Sequence, residues 1–180
     1  MNKKPHIAVV GAANVDIIAT PHANYVPNDC PGRIAMSYGG VSRNIAHNLT
    51  LMGCDVSLIT AFGDDELAAG LKHDCERIGI DVQHSAIIPG ATSSMYVCIN
   101  DEHGEMVSAV AAMDILEGIT PEFISSLITM LNSCDAVVLD ACLPTDTIAY
   151  ILGNCTVPIF ADSVSPAKSH RIFNALSPTR

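Results

Sequence analysis

The side chains with the most evident chemistry lie in two short stretches, Asn14 with Asp16 near the start of the chain and residues 39–44 further along. In an extended segment Asn14 and Asp16 project to the same side, because strand side chains alternate. A carboxylate accepts hydrogen bonds from two hydroxyl groups at once, and an amide both donates and accepts. The pair therefore favours a ligand rich in hydroxyl groups. The alternative is a turn at a strand end, stabilised by Asx side chains.

A glycine pair, Gly39 and Gly40, precedes a predicted helix that has Asn44 in its first turn. Without a Cβ atom, such a pair allows the backbone to approach a bound molecule closely. The free N–H groups at the start of a helix suit oxygen-rich ligands. A glycine-rich loop before an ordinary packed helix is the alternative. The face of this helix that should be buried consists of Ile45, Leu49 and Met52, with Gly53 as the stop.

Aspartates also end two later strands of the predicted sheet, Asp140 and Asp162. The carboxyl ends of parallel strands form the ligand-binding edge of an open sheet, and right-handed crossovers keep these ends on one side. Asp16, Asp140 and Asp162 are therefore expected at one edge. Asp162 is equally well explained as a cap at the entry of the next helix. Lys168 in that helix has the alternative of an ordinary solvated charge.

The overall composition points to one globular domain that does not bind nucleic acid. The chain has 180 residues, 49% of them hydrophobic, and a mean hydropathy of +0.33. This is enough for a real core and unlike a disordered chain. The formal net charge of -10 argues against nucleic acid or an anionic membrane as the main partner.

The cysteines and the N-terminal stretch indicate a cytoplasmic protein. Seven cysteines occur without a CxxC pair, which favours reduced thiols packed as small apolar groups and gives no zinc site. Lys3 and Lys4 precede an apolar run, so a signal peptide is an alternative. Gly11, Asn14 and Asp16 interrupt that run, which favours a strand, and no run reaches transmembrane length.

The elements that must position these residues alternate between buried strands and amphipathic helices. Strands are predicted at residues 7–10, 33–38, 56–61, 82–88, 136–139 and 157–161, with a loop at 20–32. Asp64 is the predicted N-cap of a helix over residues 65–78, and Thr120 that of a helix starting at Pro121. Further helices are expected over residues 145–152 and after Ser165. The inward side of the last helix should contain Ile172, Phe173 and Leu176.

Residues 92–112 break the pattern, because they alternate like strands around a turn at residues 100–104. One interpretation is a small separate sheet above the binding site. The other is an antiparallel edge of the main sheet. The two differ in whether Met95 and Tyr96 face a ligand or a core.

The glycine pair belongs to a longer pattern, and on that pattern the chain resembles the ribokinase-like (PfkB) carbohydrate kinases. Their first signature has glycines, an asparagine and a small residue at fixed spacing, matched here by Gly39, Gly40, Asn44, Ala46, Gly53 and Gly63. Ser42 departs from it, since the family usually has Gly, Ala or Pro there. Residues 39–46 and 162–168 are most similar to the pseudouridine kinases of that family, with Ser163 in place of a proline.

The resemblance implies a single α/β domain over residues 1–180, with a doubly wound, mostly parallel sheet of the Rossmann-like three-layer type. It implies a small β-sheet lid formed by residues of about 17–38 and 92–112, which often makes a homodimer contact in the family. The residues it assigns to sugar binding are Asn14, Asp16, Gly39, Gly40, Asn44 and Asp140. Those it suggests for a further substrate or phosphate contact are Asp162 and Lys168.

The resemblance also implies an ATP- and Mg²⁺-dependent transfer of phosphate to a sugar or nucleoside hydroxyl, with pseudouridine as the best guess. The family's Asn-x-x-Glu and Gly-x-Gly-Asp motifs, which organise magnesium and supply the base, do not occur. The C-terminal part of the fold is therefore expected to be missing. No catalytic residue or metal ligand is assigned, and this chain alone is predicted to hold no cofactor and to be inactive.

Two alternatives remain open from the sequence. The chain could be a binding module or a decayed gene product that keeps a sugar pocket without catalysis. It could also be an unrelated doubly wound domain, such as half of a dehydrogenase. The absence of a GxGxxG fingerprint after the first strand argues against the second alternative.

Overall fold

The main sheet of the computed structural model, which describes residues 3–22 and 30–176, has five parallel strands in the order β11-β10-β1-β4-β6. Their bounds are β1 His6–Val10, β4 Asp55–Ile59, β6 Ile80–Asp81, β10 Ala136–Asp140 and β11 Ile159–Asp162. β1 is central and nearly inaccessible to solvent at Ala8, Val9 and Val10. A strand buried on both faces needs a continuous apolar run, which is why this stretch was recognisable from the sequence.

Helices cover both faces of this sheet. They are α1 Val41–Leu51, α2 Glu66–Arg77, α3 Pro121–Leu131, α4 Thr145–Asn154 and α5 Pro166–Leu176, with a 3-10 turn at Asp114–Gly118. Ala8 and Val10 pack in the cluster that includes residues of α3 and α4, while Val9 packs in the cluster that includes residues of α1 and α2. Alternate side chains of one strand thus enter two cores. The predicted three-layer, doubly wound architecture is confirmed.

A second sheet of mixed direction has the order β3-β2-β8-β9 and is called the small sheet below. Its strands are β2 Asn14–Pro21, β3 Gly32–Gly39, β8 Met95–Asn100 and β9 Met106–Ala112. Only the pair β2 and β8 is parallel. Residues 92–112 therefore belong to a separate sheet and not to the edge of the main one. Of the loop predicted at residues 20–32, residues 23–29 lie outside the described part of the chain.

The strand predicted over residues 82–88 is shorter than expected. Only β7 (Ala86–Ile87) forms a ladder there, and it pairs with β5 (Ala61–Phe62). Gln83 instead donates its backbone N–H to the Asp81 carboxylate in a tight turn, at 2.9 Å. Such an Asx turn competes with strand pairing.

The predicted start of α2 is wrong by one residue. Asp65, not Asp64, is the N-cap, and its carboxylate accepts from the backbone N–H of Ala68 at 2.8 Å. The same carboxylate accepts from the backbone N–H of Ser93 at 2.7 Å and from its hydroxyl at 2.8 Å. Asp64 instead accepts from the backbone N–H of Gly90 at 3.1 Å. Two adjacent aspartates thus anchor the segment that leads into β8.

Three side chains predicted to be buried lie on the surface. Met52 is 79% exposed, because it is the C-cap of α1 and lies past its packed face. Phe173 and Leu176 are 66% and 60% exposed. α5 packs against the core through Ile172 and Ala175, so residues one position further along face outward.

Candidate functional site

A cavity of about 200 Å³ opens where β2, the start of α1 and the start of α5 meet. Four of the predicted site residues, Asn14, Asp16, Gly40 and Asn44, line it together. They converge because the chain leaves β1 at Val10, turns once and enters β2 at Asn14, whose register partner is Gly39. The complete lining consists of Ala12, Asn14, Asp16, Gly40, Val41, Asn44, Tyr96, Met113, Cys142, Val164 and Lys168.

Both glycines are required by close contacts around this cavity. Gly40 caps α1 with a φ of 97°, and a Cβ atom there would lie 2.5 Å from the carbonyl oxygen of Ala12. Gly39 does not line the cavity, and a Cβ atom there would collide with the Asp16 carboxylate. Gly39 therefore contributes by leaving room for the Asp16 side chain, and Gly40 by bringing the backbone to the cavity wall.

Asp16 and Asn14 form a hydrogen-bonded pair, in which Asn14 Nδ2 donates to Asp16 Oδ1 at 2.5 Å. Burial raises the pKa of Asp16 above its ordinary value, and it outweighs the lowering effects of the Asn14 hydrogen bond and of the Arg43 charge. This bond occupies Oδ1. Since each carboxylate oxygen can accept more than one hydrogen bond, Asp16 retains acceptor capacity toward the cavity.

Asp140 does not have the predicted place in the cavity lining. It is fully buried, and its carboxylate accepts from the backbone N–H groups of Ala12, Cys142 and Ser42 at 2.8, 2.8 and 3.2 Å. The Ser42 hydroxyl donates to it at 2.7 Å. β10 lies directly beside β1, so its terminal carboxylate meets the turn after β1 and the first turn of α1. Through these four hydrogen bonds Asp140 holds the floor of the site in place, and its predicted role as a sugar contact stays a prediction.

The two candidates from the last strand and helix differ in position. Lys168 lines the cavity, with its Nζ 3.2 Å from Cys142 Sγ and 3.9 Å from Met113 Sδ. Asp162 is exposed, is not part of the lining, and accepts from the backbone N–H of Val164 at 2.7 Å. This hydrogen bond closes an Asx turn just before α5, which begins at Pro166, and it does not cap the helix itself.

Several lining residues carried little signal in the sequence. Met113 and Cys142 are apolar or weakly polar, and in a sequence they look like core residues. Tyr96 could be placed only by register, since it pairs directly with Asp16 and so shares its face of the small sheet. The side chain of Arg43, only 9% exposed, was also missed as a part of the site's surroundings.

Metal and membrane features are not found in the part of the chain that the structure describes. Within residues 3–22 and 30–176, no group of three or more His, Cys, Asp or Glu residues could hold a metal ion. We therefore assign no metal ligand to these residues and derive no step through a metal. No helix among these residues is long and apolar enough to cross a bilayer.

Comparison with known proteins identifies the family. The sequence pattern of the pfkB family of carbohydrate kinases matches residues 4–152. The chain belongs to the PfkB family. The prediction from the glycine and asparagine spacing is confirmed, and the cavity lies on the residues that carry that spacing.

Individual relatives agree with this assignment. The pseudouridine kinase of Escherichia coli K12 is 33% identical over 180 residues, which cover 98% of this chain and 57% of the relative. A carbohydrate kinase from Agrobacterium tumefaciens has a TM-score of 0.86 at 26% identity, covering 96% of this chain and 58% of that one. Ribokinase from Thermotoga maritima shares the fold, with a TM-score of 0.77 at 20% identity and coverages of 96% and 57%. The chain thus spans a little over half the length of these proteins.

Proposed function

We propose that this PfkB chain supplies the sugar-binding part of a kinase that phosphorylates a nucleoside or sugar, with pseudouridine as the preferred substrate. The observation that carries the proposal is the convergence of Asn14, Asp16 and Asn44 on one cavity beside the Gly40 backbone. The similarity to a pseudouridine kinase over nearly the whole chain supports the choice of substrate.

The chemistry of the cavity suits a pair of neighbouring hydroxyl groups. One hydroxyl would donate to the Asp16 carboxylate, and another would accept from the Asn44 amide. Both side chains line the cavity, and Asp16 is partly shielded from water. A charge-assisted hydrogen bond of this kind is stronger than one between neutral groups. Lys168 would contact an electronegative atom of the nucleobase or of a phosphate, while Asp162 shapes the turn that leads to it.

Phosphoryl transfer itself requires more than a sugar clamp. Kinases of this family use ATP, and such transfer needs a positioned nucleotide, a metal ion and an acceptor for the hydroxyl proton. We assign none of these tasks to the described residues. Among residues 3–22 and 30–176, no group of three or more His, Cys, Asp or Glu residues could hold a metal ion. The second candidate function, a sugar-binding module without catalysis, is favoured by the same observation.

The test combines binding with turnover. Pseudouridine binding to the purified protein is measured by calorimetry for the wild type, Asp16→Ala and Asp64→Ala. Loss of the charged acceptor should cost about 1.5–3 kcal/mol of binding free energy, while Asp64→Ala should bind normally because Asp64 lies outside the cavity. Equal affinity of the Asp16→Ala variant and the wild type would contradict the proposal.

A phosphate-transfer assay with ATP and Mg²⁺ separates the two candidates. We expect the 180-residue chain to bind pseudouridine without phosphorylating it. Turnover by this chain that disappears with Asp16→Ala would show that a catalytic group has been missed. Absence of turnover in the product of any longer reading frame that contains this chain, with binding intact, would favour the binding module.

Two further parts of the proposal concern assembly and location. We propose that the small sheet acts as a lid over the cavity, which Tyr96 of β8 lines, and that its other face forms a homodimer contact. A cytoplasmic location is supported by all seven cysteines being free, since reduced thiols are usual in that compartment.

A further inference from the structure

A buried arginine lies directly behind the proposed sugar clamp. Arg43 occupies the first turn of α1, one residue before Asn44, and its side chain is only 9% exposed. The guanidinium donates through Nη2 to Asp74 Oδ2 at 2.6 Å and through Nη1 to Asn44 Oδ1 at 3.2 Å. One side chain thus connects α2 with a residue that lines the cavity.

The Asp74 carboxylate on α2 holds the Arg43 guanidinium in place. Asp74 lies on α2 with its side chain 12% exposed, and it also accepts from Arg77 Nη2 at 2.6 Å. Burial acts to raise the pKa of Asp74, but the hydrogen bonds from Arg77 and Arg43 outweigh it and lower the pKa. Asp74 is therefore ionised near neutral pH, and a planar guanidinium held by a buried carboxylate has little freedom to rotate.

The contact with Asn44 determines which end of its amide is available. An amide has one oxygen acceptor and one NH₂ group with two donors. Because Arg43 occupies the oxygen, the NH₂ group remains for a ligand. Asp16, which carries acceptors only, lies in the same lining and is within the influence of the Arg43 charge.

We infer that Arg43, anchored by Asp74, is a positioning residue that orients the Asn44 amide so that it donates to a ligand hydroxyl oxygen in the cavity. This inference rests on the proposed function and adds a determinant of affinity outside the cavity lining. It also explains why a charge is buried at the start of α1. Within the described residues, Arg43 Nε is buried without a hydrogen-bond partner, so the two Nη contacts are the ones that fix the guanidinium.

The variants follow from the geometry. Arg43→Lys keeps the charge and can keep the ion pair with Asp74. A lysine ammonium lacks the two coplanar NH₂ groups of the guanidinium, so it cannot contact Asp74 and Asn44 in the same way. We expect pseudouridine affinity to fall about fivefold to tenfold, the effect of one lost hydrogen bond. Arg77→Lys is the matched control, because Arg77 binds the same carboxylate, is 63% exposed and is not part of the cavity lining.

A second variant changes the Asn44 amide itself, which is the group proposed to contact the ligand. Asn44→Asp preserves an acceptor for Arg43 and strengthens their pairing, but it removes the NH₂ donors. It should weaken binding at least as much as Arg43→Lys without lowering the unfolding temperature. This variant keeps the inference testable if Arg43→Lys is poorly folded.

The measurements are pseudouridine affinity by calorimetry, unfolding temperature, and the side-chain amide resonances of Asn44 in the full-length protein. We expect Arg43→Lys to shift and broaden these resonances and Arg77→Lys to leave them unchanged. Normal affinity in both Arg43→Lys and Asn44→Asp, while Asp16→Ala loses binding, would overturn this inference alone. If the wild-type protein does not bind pseudouridine, ribose or guanosine at all, the proposed function fails as well.

Discussion

At the scale of single residues, the cavity divides donors and acceptors among a few side chains. Asp16 accepts from Asn14 and keeps acceptor capacity, while Arg43 leaves the Asn44 amide free to donate. The resemblance to the family assigned Asp140 to sugar binding, but its carboxylate already accepts hydrogen bonds from four protein donors. Under the proposed function, recognition of a hydroxyl pair depends on the Asp16 carboxylate, and its ionisation should control binding.

The pH dependence of binding tests this conclusion. Burial raises the pKa of Asp16, against the Asn14 hydrogen bond and the Arg43 charge. As pH falls, Asp16 should accept its proton at a higher pH than an ordinary aspartate, whose pKa is 3.8, and pseudouridine affinity should fall with it. Calorimetry from neutral to mildly acidic pH measures the effect. In Asp16→Asn the affinity should be low throughout and nearly independent of pH.

The raised pKa of Asp16 also predicts how folding stability depends on pH. Lower pH should favour the folded state, whereas it should weaken binding. A raised pKa in the folded state means that folding favours the protonated form of Asp16. The stabilisation from this preference is complete below the pKa of the unfolded state, and it is lost as pH rises through the pKa of the folded state. At neutral pH the ionised Asp16 therefore costs stability. Asp16→Asn should unfold at the same or a higher temperature than the wild type while binding less. A lower unfolding temperature would show that Asp16 is a structural residue.

At the scale of elements, the sequence was most informative where burial and spacing agree. β1, β10 and α3 were predictable because continuous apolar runs and a Thr-Pro helix start leave few other structures. The N-cap of α2 was missed because Asp64 and Asp65 are adjacent and equally good caps, and only the contact of Asp65 with Ser93 decides between them. The burial of Asp140 was also unpredictable, since it depends on neighbours distant in sequence, Ala12 and Ser42.

The start of α1 gives a prediction on the glycine signature. Gly40→Ala must adopt a positive φ of 97° and also bring its Cβ within 2.5 Å of a backbone oxygen. Gly53→Ala at the other end of α1 has a similar φ of 90° with no heavy atom within 4 Å of the added Cβ. We expect Gly53→Ala to cost about 1–2 kcal/mol from the backbone conformation alone.

Gly40→Ala should cost more than Gly53→Ala, by at least about 1 kcal/mol, because the backbone must shift. It should also weaken pseudouridine binding, while Gly53→Ala should not. Urea unfolding and calorimetry of both variants measure these differences. Equal losses of stability would mean that the backbone at Ala12 can shift without destabilising the fold. Glycine would then be needed at position 40 only because of the positive φ.

At the scale of the whole molecule, the small sheet has two chemically different faces. Directly paired residues project to the same side, so Asp16, Ser37 and Tyr96 share the face that includes the cavity residues. The opposite face is apolar and without charged residues along its central rows, which are formed by Ile17, Ala19, Ile34, Met36, Val97, Ile99 and Val110. Ile34, Met36 and Val110 are 75%, 59% and 66% exposed. Contiguous apolar surface of this kind usually marks a contact with another protein.

The partner proposed for this face is a second copy of the chain. The chain carries a net charge of -10, so two copies repel each other overall, and a contact without charged side chains adds the least to that repulsion. This face offers such a surface, and a two-fold axis would bring it against itself. We therefore expect the protein to sediment as a dimer that added salt does not weaken, because salt screens the repulsion between the two net charges. An ion-paired contact would instead weaken as salt is added.

Single charges placed on either face of the small sheet test this assembly. Ile34→Glu and Val110→Glu each bury a carboxylate in the proposed contact, which is costly without a partner, so sedimentation should shift from dimer to monomer. Ala35→Glu is the matched control, because it follows Ile34 on the same strand, is exposed, and projects to the other face. It should remain dimeric. A monomeric wild type, or dimers that survive both substitutions and dissociate with Ala35→Glu, would contradict the proposed contact and assign another role to the apolar face.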